Sequence, residues 1–258
     1  MKQLTRKFVE SCATEGGFYL RGEQMTRIEV FVDAAFAFAV TMLVISIDAI
    51  PTSVPELIAA SKQIPAFIVC VAQLIWIWHS HAVWSNRFGL EDGIAILLSS
   101  VLLIIVLIYI YPLKMMFGGF FMWISNGYLP SDFDLTGIDE LRFLFVYFGI
   151  GFIAISVTFV LMQWHALRHQ KELLLIPKEI HKTITQIQIR WALAGVALLA
   201  VVLALLTPDP YVPYTGFTYM LIGLMYPLIE QRRQLIWQRQ VAASGSVNEI
   251  SSPSDQSG

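Results

Sequence analysis

The chain has 258 residues, 56% hydrophobic and only 14% charged, with a mean hydropathy of +0.64. Soluble domains carry about 25% charged residues, so an ordinary water-facing surface is excluded, and the charge deficit also excludes disorder over the body of the chain. The 17 Lys and Arg against 19 Asp and Glu leave a net charge of −2, which offers nucleic acid no basic surface.

Residues 1–27 are polar, with Arg6, Lys7, Glu10, Glu15, Arg21 and Arg27 among them, and lack the apolar core of a signal peptide. They are expected to form a cytoplasmic leader, frayed or interfacial. A bilayer core of about 30 Å needs about 20 residues per crossing helix. On that measure the pattern predicts six membrane helices, at 28–47, 64–84, 94–111, 141–164, 187–206 and 213–230, within one membrane domain spanning 28–232.

The first helix holds Glu29 and Asp33 near one end and stops short of Pro51 and Pro55, which mark a short connection or re-entrant turn. The second is interrupted by Gln73 and by His79-Ser80-His81, and the third, uncharged, ends at Pro112. Residues 114–141, aromatic and glycine-rich and then acidic, read as an interfacial or extracellular loop. Residues 165–190 read as an amphipathic cytoplasmic connector broken at Pro177, or as an ordinary polar one. The tail 242–258, rich in Ser, Gly and Asp, is expected to be disordered.

Six crossings place Lys62, Lys114 and Arg142 outside and the other 14 of the 17 Lys and Arg inside. That is the distribution of the positive-inside rule, with both termini cytoplasmic. Five crossings would put the basic tail outside. Cys12 and Cys70 make no disulfide framework, and Cys70 reads as a small buried hydrophobe.

Candidate chemistry concentrates on the first hydrophobic helix. By the helical repeat, Phe38, Met42 and Ile45 fall within about 60° of one another, with Thr41 beside them and Arg27, Phe31 and Ala34 continuing the stripe. Such a stripe closes a channel when several copies surround an axis; it is also what any lipid-facing or packing surface looks like, and residue chemistry alone favours the latter. Asp33 falls with Ala37, Val40 and Val44 on another face. A carboxylate in a membrane helix needs a partner or a watery cavity, and Arg27 and His79 are the candidates. A proton or cation relay and a structural hydrogen-bond network both fit, the second being preferred.

Elsewhere, His165 and His169 are four residues apart with Glu172 just beyond, a weak metal-ligand pattern. No HExxH, GxSxG, CxxC or Walker-type run occurs, and no enzyme activity, cofactor or resident metal is expected. A secondary transporter or proton/cation leak pathway is the first alternative class, and a non-conducting scaffold the second.

Arg27-Ile-Glu-Val-Phe31-Val-Asp33, followed by an apolar helix containing Thr41, resembles the first helix of the TMEM175 family of potassium-permeable channels, which opens Arg-x-x-x-Phe-Ser-Asp. Trp76-Ile-Trp-His79 resembles that family's Trp-x-x-His on helix two. The likeness covers about 25–235, its specific motifs lying in the first two helices. It implies an all-α polytopic channel in a prokaryotic plasma membrane, a homotetramer in contact with lipid, with the first helices around a potassium pore that has no P-loop. It further implies that Phe38, Thr41, Met42 and Ile45 form the constriction, and that Arg27, Phe31, Asp33, Trp76 and His79 brace it. Val32 and Ala34 stand where the family has Ser and Gly, and Ser99 or Ser100 where it often has Asn, which thins that bracing network.

Overall fold

The computed structural model describes residues 4–22, 24–45, 51–131, 133 and 137–250. The side chain of Ile45, residues 46–50 and residues 251–258 lie outside the described residues, and with them one constriction candidate, the end of the first expected helix and the last part of the expected tail.

Residues 4–22 form a folded element rather than a loose leader. Helix α1 (Arg6–Ser11) precedes a hairpin of β1 (Thr14–Glu15) and β2 (Phe18–Tyr19), turned at Gly16 and Gly17 with φ of 58° and 80°. Only glycine takes consecutive positive φ without strain, which makes Gly-Gly a hairpin signal. Phe18 is buried, edge-on to Phe88 at 6.1 Å and under the Arg87 guanidinium at 4.2 Å.

A buried ion pair anchors the hairpin. Arg21 and Glu179 have fully buried side chains and meet through two hydrogen bonds, at 2.9 and 2.8 Å. Arg21 also donates to the carbonyls of Leu173 and Tyr19, and Glu179 accepts from the backbone N–H of Tyr19 and Ile176. With these bonds satisfied, charges that burial would otherwise penalise tie three separate segments together.

Helix α2 (Arg27–Ile45) opens with a capping box. Thr26 Oγ1 accepts from Glu29 N at 3.2 Å, and Glu29 Oε2 accepts from Thr26 N at 2.6 Å. Ser85 donates to the other Glu29 oxygen, docking this start on the neighbouring helix. A short helix α3 (Val54–Ser61), capped by Ser53, leads to α4 (Ile64–Phe88).

Three expected boundaries move. Helix α5 (Gly93–Ile124) runs through Pro112 for 32 residues, so its last turns replace the start of the expected loop 114–141. Proline removes one N–H and is tolerated in a membrane helix whose neighbours bury it, as Pro112 is here. Helix α6 (Ile138–Arg168) and helix α7 (Pro177–Leu206) absorb most of the expected connector 165–190. Pro177 starts α7 instead of breaking it, because a helix's first turn has no use for that N–H. A 3₁₀ segment (Asp209–Met220) then leads into α8 (Leu221–Ile250), so residues 242–250 are helical rather than disordered.

Five helices among the described residues are long and apolar enough to cross a membrane; α2, 19 residues or about 28 Å by helical rise, has the length for a sixth crossing. The chain is an all-α polytopic membrane protein. The α6–α7 pair packs most extensively, α5 lies against α6, and α2 rests on α4 and α5. Close approach along α6 depends on Gly149 and Gly151. A Cβ there would run into the Val201 side chain and the Tyr109 ring respectively, the small-residue contact on which membrane helices pack.

Candidate functional site: the open face of α2

The face of α2 turned inward carries Val32, Phe36, Ala39 and Leu43, all buried against α4 and α5. Among the described residues nothing covers the opposite face: Arg27, Val30, Phe31, Ala34, Phe38, Thr41 and Val44 are exposed, Phe38 at 57% and Phe31 at 59%. Residues recurring every three to four positions produce this two-faced helix. Met42 lies at its flank, half-buried. Val44, expected on another face, is 49% exposed and belongs to the edge of this one. Thr41 Oγ1 donates to the Ala37 carbonyl at 2.9 Å, which holds its hydroxyl against the helix with acceptor lone pairs outward.

Asp33 is half-buried beside this face, and its partner differs from both candidates. The indole Nε1 of Trp78 donates to Asp33 Oδ1 at 2.7 Å, whereas Arg27 and His79 are exposed. Helix α4 contains Trp-x-x-His twice, as Trp76/His79 and as Trp78/His81. Two residues turn a helix by about 200°, so only one register faces inward. It is the second: His81 is buried and its Nε2 lies 3.0 Å from the hydroxyl of buried Ser99 on α5. Of the two serines considered, Ser99 is the one that joins α4 to α5, while Ser100 bonds back to its own helix. Trp76 turns outward, 40% exposed, with the Arg190 guanidinium 5.1 Å from its ring.

Val32, standing where the resembled signature has a serine, is fully buried within the apolar core. The lost hydroxyl therefore leaves no orphaned polar group; a branched methyl pair fills the space. The sequence reading missed Trp78, His81 and the Glu29–Ser85 pair. The duplicated Trp-x-x-His and the Thr26-x-x-Glu29 capping spacing were the available signals.

A family model described as "Bacterial low temperature requirement A protein (LtrA)" matches residues 24–244. A relative from Marivirga tractuosa named "Potassium channel" is 36% identical over 219 residues, spanning 81% of this chain and 85% of that protein. Among solved structures, a crystal structure of a variant of the potassium channel MtTMEM175, bound to a nanobody–MBP fusion protein, matches with a TM-score of 0.67 at 32% identity, covering 90% of this chain and 99% of that one.

Proposed function

The chain belongs to the LtrA family and is TMEM175-like, and from that premise we propose that it is a potassium-permeable channel whose ions pass along the open face of α2. Potassium permeation rests on the relatives, which are named as potassium channels. The single observation that carries the path is the uncovered apolar face of α2, set opposite a face packed on α4 and α5. In a homotetramer four such faces enclose an axis, with Phe38 and Met42 as apolar rings and Thr41 supplying the hydroxyl level between them. Ile45 continues the rings by spacing. Stacked apolar rings oppose ion passage by excluding water.

Arg27, Phe31 and Asp33 flank this path at the start of α2, and the Asp33–Trp78 bond is the brace that sets its rotation on α4. No run of the potassium-filter type is present in the sequence, so selectivity rests on dehydration at Thr41 and at the narrow rings. Both termini lie in the cytoplasm, with the channel in a prokaryotic plasma membrane.

The test is potassium and sodium flux into liposomes carrying wild type, Phe38→Ser, Met42→Ser and Ile45→Ser at matched protein density. A smaller polar ring eases wetting, so each substitution raises leak. Ala39→Ser, on the buried face, serves as control and leaves flux near wild type. Equal effects at all four positions would count against the α2 path, and absence of cation flux in every preparation would count against a channel.

A further inference from the structure

The end of the bundle that holds the hairpin gathers a second group of chemistry-bearing side chains, none of them on α2. Asp92 caps α5, its Oδ1 accepting from Ala95 N at 3.2 Å. Its carboxylate also meets His165 in the last turn of α6, with Nε2 at 3.0 Å from Oδ1 and 2.9 Å from Oδ2. One turn on, His169 sets its ring edge-on to that of His165, centroids 4.6 Å apart, and its Nδ1 lies 3.0 Å from the His165 carbonyl. A carbonyl only accepts, so that nitrogen holds the proton and Nε2 of neutral His169 keeps its lone pair. Donor atoms from Asp92, His165 and His169 all lie within 4.8 Å of one another.

We propose that Asp92, His165 and His169 bind one divalent transition-metal ion of the zinc class, which fastens the start of α5 to the end of α6. Two histidines four residues apart share a helix face, the spacing found in helical zinc sites. Tetrahedral zinc holds nitrogen and oxygen donors at about 2.0–2.1 Å, hence about 3.3 Å from each other. The Asp92–His165 pair opens by a few tenths of an ångström, and His169 closes in, to reach that geometry. Behind a ligating imidazole, the other N–H is ordinarily held by a carbonyl or carboxylate, and the His165 carbonyl already does this for His169.

The ion takes the place of the proton between His165 Nε2 and Asp92: a neutral His165 keeps its one proton by shifting it through solvent to Nδ1, and a protonated His165 releases the Nε2 proton to solvent. Imidazole donors favour zinc, cobalt and nickel over magnesium and calcium. Asp92 and His169 are partly exposed, which leaves access for the ion and a position for water. Sequence spacing offered Glu172 as the third ligand, but that residue is exposed and stands outside the cluster. Chain separation concealed Asp92, which lies 73 positions from His165.

The test uses the full chain in detergent, stripped with EDTA and titrated with Co²⁺, then with Zn²⁺. Wild type takes up one Co²⁺ per chain and develops the visible bands of a low-coordinate nitrogen–oxygen site, which Zn²⁺ displaces. Asp92→Asn keeps a good N-cap residue, and His169→Gln changes a partly exposed side chain, so both variants fold; each weakens binding at least tenfold. Glu172→Gln binds as wild type does. Saturating Zn²⁺ raises the Tm of wild type, as any ligand of the native state must, and leaves those of Asp92→Asn and His169→Gln unmoved. No stoichiometric Co²⁺ uptake by wild type, wild-type binding in Asp92→Asn or His169→Gln, or loss of binding in Glu172→Gln would overturn the assignment.

Discussion

A carboxylate partway along an apolar helix is costly unless a donor meets it, and at Asp33 the donor is the indole N–H of Trp78, 2.7 Å away. Removing the indole nitrogen leaves the carboxylate without that donor, a penalty of about 1–3 kcal/mol. Trp78→Phe and Asp33→Ala are therefore expected to lower thermal stability, and the double variant to lose less than the sum because both single changes break one bond. Thermal unfolding in detergent measures all three, with potassium and sodium flux recorded alongside. Normal stability of Asp33→Ala with flux abolished would instead give the acid a direct role in conduction. The sequence pointed to Trp76/His79, whereas the structure turns Trp78/His81 inward. That choice depends on which side of α4 meets α2.

At the scale of elements, one ion pair holds together what the sequence separates by 158 positions. Arg21 and Glu179 join the hairpin to the start of α7, and both side chains are fully buried. Breaking such a pair from one side strands a charge and costs about 3–5 kcal/mol. Arg21→Met and Glu179→Leu should each release the hairpin, read as new chymotryptic cleavage at Phe8, Phe18 or Tyr19, while the double variant recovers part of the loss. Arg6 and Glu10 form an ion pair on the exposed side of α1, where a pair contributes little; Arg6→Ala should leave the cleavage pattern unchanged. Helix boundaries teach a related lesson at Pro112 and Pro177. Proline is read as a stop in both places, yet burial among neighbouring helices carries α5 past the first and the second begins α7.

For the whole molecule, the arrangement of charge makes a prediction about orientation. Arg21, Arg87 and Glu179 meet at one end of the bundle. Arg142 bonds to Asp209 at 2.7 Å, and the Lys62 ammonium lies 4.4 Å from the centre of the Tyr128 ring, at the opposite ends of the same helices. By the positive-inside rule, the basic split predicts that the hairpin end faces the cytoplasm. A reporter active only in the cytoplasm, fused after residue 240, should give signal. Tyr128→Cys, exposed in the turn after α5, should react with an impermeant thiol reagent added from outside, against a low background because Cys12 and Cys70 are buried. Labelling from the inside only would reverse the topology.

Composition and hydrophobic run length determined the membrane class and the six helices, because bilayer thickness imposes one length on every crossing segment. The period of α2 determined that an apolar stripe and an acid lie on different parts of one helix, since the helical repeat is local. Side-chain partners were beyond reach from the chain alone. Trp78 for Asp33, Ser99 for His81, Glu179 for Arg21 and Asp92 for His165 are pairs between different elements, and no local rule carries the rotation of one helix against another. The same limit applies to the open face of α2. Periodicity identifies a stripe, but only the packing of α4 and α5 over Val32, Phe36, Ala39 and Leu43 leaves Phe38 and Thr41 uncovered.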